Sequence, residues 1–193
     1  MQAVCVFCGS SVGSRLIYSE AARRLGTVVA ERGLHLVYGG GKVGLMGLLA
    51  DAALAAGGQV TGIIPKALLK KEIGHEGLTN LRVVDSMHER KMLMAELSDG
   101  FVALPGGYGT LEEVLEVLSW AQLSIHEKPC ALLDVDGFFG PLSSLFDLAV
   151  KESFVHPDHR SLVLTNEHPN TLLDEMECYT PPRTKKWILP REL

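Results

Sequence analysis

Seven short apolar runs, separated by stretches of helical periodicity, constrain this chain more than any other feature. The runs are Ala3 to Phe7, His35 to Tyr38, Val60 to Ile64, Leu81 to Val84, Phe101 to Leu104, Cys130 to Leu133 and Leu162 to Leu164. Helical patterns fall between and after them, near Ser19 to Arg32, Leu45 to Ala56, Met87 to Leu97, Leu111 to Ser124, Gly140 to Lys151 and Thr171 to Met176. Strands this continuously apolar are buried on both faces, and their alternation with helices implies βαβ units with right-handed crossovers. The expected architecture is α/β: a Rossmann-like open parallel sheet of about seven strands with helices on both faces. With 193 residues, 47% of them hydrophobic, the chain can bury the core of one such domain. We assign that domain to residues 1–180, and residues 181–193, with Pro181, Pro182 and Pro190 among mixed charges, to a C-terminal arm.

In open sheets of this kind ligands collect at the carboxyl ends of the strands, where helix N-termini also point. Three glycine turns mark that edge. Cys8-Gly9-Ser10-Ser11 follows the first strand, Gly39-Gly40-Gly41-Lys42-Val43-Gly44 the second, and Pro105-Gly106-Gly107-Tyr108-Gly109-Thr110 the fifth. Such turns let backbone approach a ligand closely, and the free N–H groups of a first helical turn favour an anion, with phosphate the natural guest. Gly39, Gly41 and Gly44 fit the G-x-G-x-x-G fingerprint, but the motif follows the second strand rather than the first. The next strand also ends Gly62-Ile63-Ile64-Pro65-Lys66, without the acidic residue that would bind a dinucleotide ribose. Val43 stands where a P-loop needs Ser or Thr.

Composition narrows the partners. A net charge of −5 argues against broad binding of nucleic acid or anionic membranes, and an anionic ligand must be held locally. No apolar run reaches the roughly 18 residues that span a bilayer, and the first strand begins at once without a basic leader, so a cytoplasmic protein is expected. Cys5 and Cys8 have C-x-x-C spacing, but Cys130 and Cys178 stand alone, so a four-thiolate zinc site lacks its second pair. Cys5 falls inside a strand instead of at a helix N-terminus, and two small buried thiols are the simpler reading. No metal and no cofactor is expected.

Two segments carry chemistry. Met87-His88-Glu89-Arg90-Lys91 opens a helix with two cations in its first turn, against the dipole preference for acids there. A guanidinium can clamp phosphate or a ribose oxygen, although both residues also fit solvated surface charges. After the third glycine turn, Thr110-Leu111-Glu112-Glu113 has the form of a capping box, in which Glu113 would satisfy a backbone donor. If Thr110 instead turns its hydroxyl to phosphate, Glu113 faces the ligand. Both readings put the carboxylate at the glycine turn. Glu112, Glu116 and Ser119 follow at helical spacing and could line the same pocket.

Taken together and in order, GGGKVGLMG from Gly39 to Gly47, MHERK from Met87 to Lys91 and PGGYGTLEE from Pro105 to Glu113 resemble the Lonely Guy family, the cytokinin riboside 5'-monophosphate phosphoribohydrolases. The likeness runs from about Val4 to Phe154 and includes Cys8 to Ser11, Tyr18 to Ala22, Ser119 to Leu123 and Asp136-Gly137. The resemblance implies a Rossmann-like homodimer. It places the catalytic Glu on Glu113 and the catalytic Arg on Arg90. It also implies substrate contacts from Lys91, from Gly107, Tyr108, Gly109, Thr110, Leu111 and Glu112, and from Glu72 and Ser119, while Ser10, Gly40 and Gly41 join the phosphate cradle.

The implied reaction is hydrolysis of the N-glycosidic bond of AMP or an N6-modified riboside 5'-monophosphate. A carboxylate beside an oxocarbenium-like C1' and a fixed cation suffice for it. Two alternatives stand beside this reading. A non-catalytic nucleotide-binding module would need the glycine turns alone. A pyridoxal-phosphate decarboxylase would need a Schiff-base lysine with an acidic partner, and Lys42 is the lone lysine in a glycine turn, with nothing evident to pair with it.

Overall fold

The computed structural model describes residues 1–69 and 74–182. Its strands are β1 (Ala3–Phe7), β2 (His35–Tyr38), β3 (Val60–Pro65), β4 (Asn80–Val84), β5 (Gly100–Ala103), β6 (Cys130–Leu133) and β7 (Val163–Asn166). Its helices are α1 (Leu16–Glu31), α2 (Gly44–Ala55), the short α3 (Lys66–Leu69), α4 (Met87–Glu96), α5 (Tyr108–Gln122), α6 (Gly140–Lys151) and α7 (Pro169–Glu177). The strands form one sheet in the order β4-β3-β2-β1-β5-β6-β7, every neighbouring pair parallel. The expected fold class is therefore the observed one.

Side chains alternate across the strands and divide the core in two. Val4 and Val6 of β1 join Leu25 of α1, Leu49 of α2 and Leu172 of α7 on one face. Cys5 and Phe7 join Met94 of α4, Val114 and Val117 of α5 and Phe139 on the other. Phe7 and Phe101 stack with ring centroids 6.0 Å apart across the β1–β5 pair.

The chain builds outward from β1 to the edge strand β4, returns through α4 to β5 beside β1, and then builds outward the other way. The topological switch point thus lies between β1 and β5, and a crevice opens beyond their carboxyl ends. A cleft of about 240 Å³ occupies it, lined by Ser10, Ser11, Val12, Tyr18, Gly106 and Phe138 among others.

Several boundaries differ from the sequence expectations. The first helix starts at Leu16 rather than Ser19 and the last at Pro169 rather than Thr171. Leu162 closes a 3-10 turn, Pro157–Leu162, and β7 begins one residue later. The helix expected from Leu111 begins at Tyr108. Among the described residues no helix is long and apolar enough to cross a membrane. Of the expected arm, residues 183–193 lie outside the described part, as does Glu72.

Candidate active site

The three glycine turns meet at the switch point. Gly9 N–H donates to Pro105 O at 3.1 Å, and Leu45 N–H, at the start of α2, donates to Gly9 O at 3.0 Å. Gly44 has φ +61°, and a Cβ there would lie 2.2 Å from the backbone of Ser10, so the second turn reaches the first only as glycine. The third turn ends at Gly107, which caps α5 without a side-chain bond. Gly107, Tyr108 and Gly109 are exposed, Tyr108 at 94%, whereas Thr110 is 4% exposed and packs its hydroxyl beside Gly106. The first-turn amides of α5 are thereby presented beside Ser10, which is exposed too.

Because α5 starts at Tyr108, Thr110 lies inside its first turn and does not cap it. The capping-box reading of Glu113 falls with that. Glu113 is 7% exposed and its Oε1 lies 3.2 Å from Nη1 of Arg90, itself 6% exposed. The surface-charge reading of Arg90 falls as well. Its Nε donates to Ile63 O at 3.2 Å, and Gly39 lies so close that a Cβ there would stand 2.2 Å from Nη2. Two buried charges in mutual contact and anchored to backbone are the arrangement that low dielectric tolerates. The pair lies over the end of β1: the thiols of Cys5 and Cys8 are pushed up, by burial first and then by the Glu113 carboxylate, with Arg90 opposing. Both remain thiols at neutral pH.

Arg90 reaches inward because α4 is capped independently. Ser86 Oγ accepts from Glu89 N–H at 3.1 Å, and Glu89 accepts from Asp85 N–H at 2.8 Å. Sequence reasoning missed this cap, although Ser86-Met87-His88-Glu89 carries the S-x-x-E signal. The next residue, Lys91, has its ammonium 2.5 Å from Glu112 and 2.9 Å from Glu116, tying α4 to α5.

The remaining expected contacts separate. Gly40 and Gly41 are buried within the second turn, and Leu111 is half-buried in α5. Ser119 is not among the residues that line the cleft at the switch point. Its hydroxyl donates to Leu115 O at 2.8 Å, and it borders a groove of about 180 Å³ with Leu115, Gln122, Phe146 and His159. The stripe of Glu112, Glu116 and Ser119 thus divides between two surroundings, since Ser119 stands on the same face but two turns further along the helix than Glu112. Among the described residues no group of three His, Cys, Asp or Glu side chains could hold a metal ion.

Residues 46–176 match a family model described as "Possible lysine decarboxylase". The probable cytokinin riboside 5'-monophosphate phosphoribohydrolase LOGL2 of Oryza sativa subsp. japonica is 50% identical over 182 residues, 94% of this chain and 75% of the rice protein. The cytokinin riboside 5'-monophosphate phosphoribohydrolase LOG1 of Arabidopsis thaliana is 48% identical over 182 residues, 94% of this chain and 85% of its own length. Among solved structures, the molybdenum cofactor carrier protein of Chlamydomonas reinhardtii has a TM-score of 0.70 at 21% identity, covering 92% of this chain and 99% of that one, a likeness of fold alone. With about half its residues shared over nearly its whole length, the chain belongs to the Lonely Guy family of cytokinin riboside 5'-monophosphate phosphoribohydrolases.

Proposed function

We propose that this protein hydrolyses the N-glycosidic bond of AMP or of an N6-modified (cytokinin) riboside 5'-monophosphate, releasing free base and ribose 5-phosphate. The observation that carries the reading is the buried Arg90–Glu113 contact beside a crevice of glycine turns. A phosphate bound by the amides of Gly107 to Thr110, with Ser10, Gly40 and Gly41 completing the cradle, sets the ribose within reach of both side chains. As the C1'–N9 bond breaks, positive charge grows at C1', and the Glu113 carboxylate stabilises it and takes a proton from the attacking water. The water oxygen stays on ribose 5-phosphate and a proton goes to the departing base. Arg90 fixes the carboxylate and the ribose, and its high basicity makes it an anchor rather than an acid. Glu112, Leu111, Tyr108 and Lys91 shape the rim, with Glu72 a further substrate contact.

The experiment is incubation of the purified protein with AMP and with N6-isopentenyladenosine monophosphate, without added metal or cofactor, following free base by chromatography. Wild type should release base from at least one, and Glu113→Gln should be slower by about 100- to 10,000-fold. Tight binding of both nucleotides without release from either would instead establish a nucleotide-binding module. A decarboxylase has less support: Lys42 is exposed, whereas a Schiff-base lysine works from a desolvated site.

We also propose a cytoplasmic homodimer. None of the α6 residues is buried, and Leu145, Leu148 and, just beyond the helix, Phe154 are 58%, 49% and 86% exposed, while Leu115 of α5 is 40% exposed. An apolar face of this kind is what a second copy would cover. Sedimentation equilibrium should give twice the chain mass of 20.9 kDa, and the mass of a single chain would count against it.

A further inference from the structure

The turn that abuts Arg90 is itself held by a buried histidine with no assigned role. His75 is 3% exposed, and its backbone N–H donates to Gly40 O at 3.0 Å, while the neighbouring Gly74 bridges Gly41. Its ring is used at both nitrogens. Nδ1 accepts from Gly77 N–H at 3.2 Å, so the proton of the neutral ring sits on Nε2, which donates to Asp51 Oδ1 at 2.9 Å. Asp51 belongs to α2, the helix that begins where the glycine turn ends. One side chain therefore joins three pieces: the turn through its backbone, its own loop through Nδ1, and α2 through Nε2. On the other side of the same turn, Gly39 packs against the Arg90 guanidinium, and Gly40, at φ +77°, lies against Gly62, Ile63 and Ile64 of β3. Ile63 is also the residue whose carbonyl accepts from Arg90 Nε.

We propose that His75 is a positioning residue for Arg90, acting through the Gly39–Gly41 turn. The functional consequence rests on the phosphoribohydrolase reading; the positioning itself does not. If His75 only filled space, an apolar ring of similar size would serve as well. If it positions, the donor toward Asp51, which ties the ring to α2, is needed to fix the carbonyl of Gly40, and with it the backbone beneath the guanidinium.

The test compares His75→Phe, which keeps bulk and loses both hydrogen bonds, with His75→Gln, which keeps an amide able to reach Asp51. Each full-length variant is checked for folding by thermal unfolding. The first readout is the NMR signal of the Arg90 Nε–H, assigned with Arg90→Lys, and the second is steady-state release of base from AMP. His75→Phe should shift and broaden the Arg90 signal and lower kcat/KM by about 10- to 100-fold, the scale of a displaced catalytic group. His75→Gln should restore most of both. An unchanged Arg90 signal in folded His75→Phe overturns the proposal, as does a Gln variant no better than Phe. Should His75→Phe fail to fold, Asp51→Ala, at a side chain 53% exposed, removes the ring's partner and is read in the same way. If wild type releases no base while the Arg90 signal still responds to these substitutions, the phosphoribohydrolase reading fails and the positioning role stands.

Discussion

Gly39 shows how a single hydrogen atom in place of a side chain can set the geometry of a buried ion pair. Its missing Cβ leaves the space occupied by Arg90 Nη2, and the nearest other atom to that Cβ would be Met46 Sδ at 3.2 Å. In Gly39→Ala the Cβ would meet Arg90 Nη2 first, so the guanidinium must yield, and a shift of that size disturbs its contact with Glu113. Overpacking of this size costs about 1–3 kcal/mol of stability. The larger effect should be on turnover: kcat/KM for AMP is expected to fall about 100-fold, and wild-type kinetics in the variant would show that the Arg90–Glu113 contact is not needed. The glycine run was legible in the sequence as a tight turn after the second strand. Its contact with Arg90 was not, because a cation in a first helical turn looks the same whether it faces solvent or folds inward; the difference lies in β3, whose Ile63 carbonyl is remote in sequence.

At the scale of elements, α4 and α5 act as one unit because Lys91 spans them. Glu112 and Glu116 stand one turn apart on α5 and repel each other unless a cation lies between them. The resemblance assigns Lys91 to the substrate, and its two ion pairs also make it a strut between α4 and α5. The two roles separate in Lys91→Met, which keeps the aliphatic stem and removes the charge. A strut predicts that kcat falls about 10-fold while KM for AMP changes less than about threefold; a KM rise with kcat unchanged would return Lys91 to direct contact. The strands were legible as apolar runs because burial on both faces leaves few polar positions to confuse them. Helix ends were less so. Leu16 opens α1 at 73% exposure with no side-chain cap from Arg15, and Gly107 opens α5 likewise, so neither boundary is written in capping residues. His75 was missed because its value comes from Gly40 and Asp51, which the fold brings to it.

For the whole molecule, stability should depend on acid through His126. Its Nε2 donates to Val117 O at 3.0 Å, Nδ1 accepts from Lys128 N–H at 3.1 Å, and the ring lies against Phe101. Burial is the main cause that pushes it down to about 4 from the usual 6.5. The unfolded chain then binds the proton more readily than the folded one between those values, so stability is full above pH 6.5 and declines as pH falls toward 4. The thermal midpoint should show that slope, and His126→Asn, which retains an acceptor for Lys128 N–H, should flatten it; an unaltered slope would assign the acid sensitivity elsewhere. Asp99, held below the ordinary carboxylate range mainly by Gln2 N–H, adds its own loss at lower pH. The strand order bears on assembly as well. Arg90 sits on the crossover from the edge strand back to the centre, and Glu113 follows the strand that completes that return. A nascent chain that has built only the first four strands carries two glycine turns and neither charged group. A half-made molecule therefore lacks the buried ion pair, which closes only once β5 has docked against β1 and α5 has folded after it.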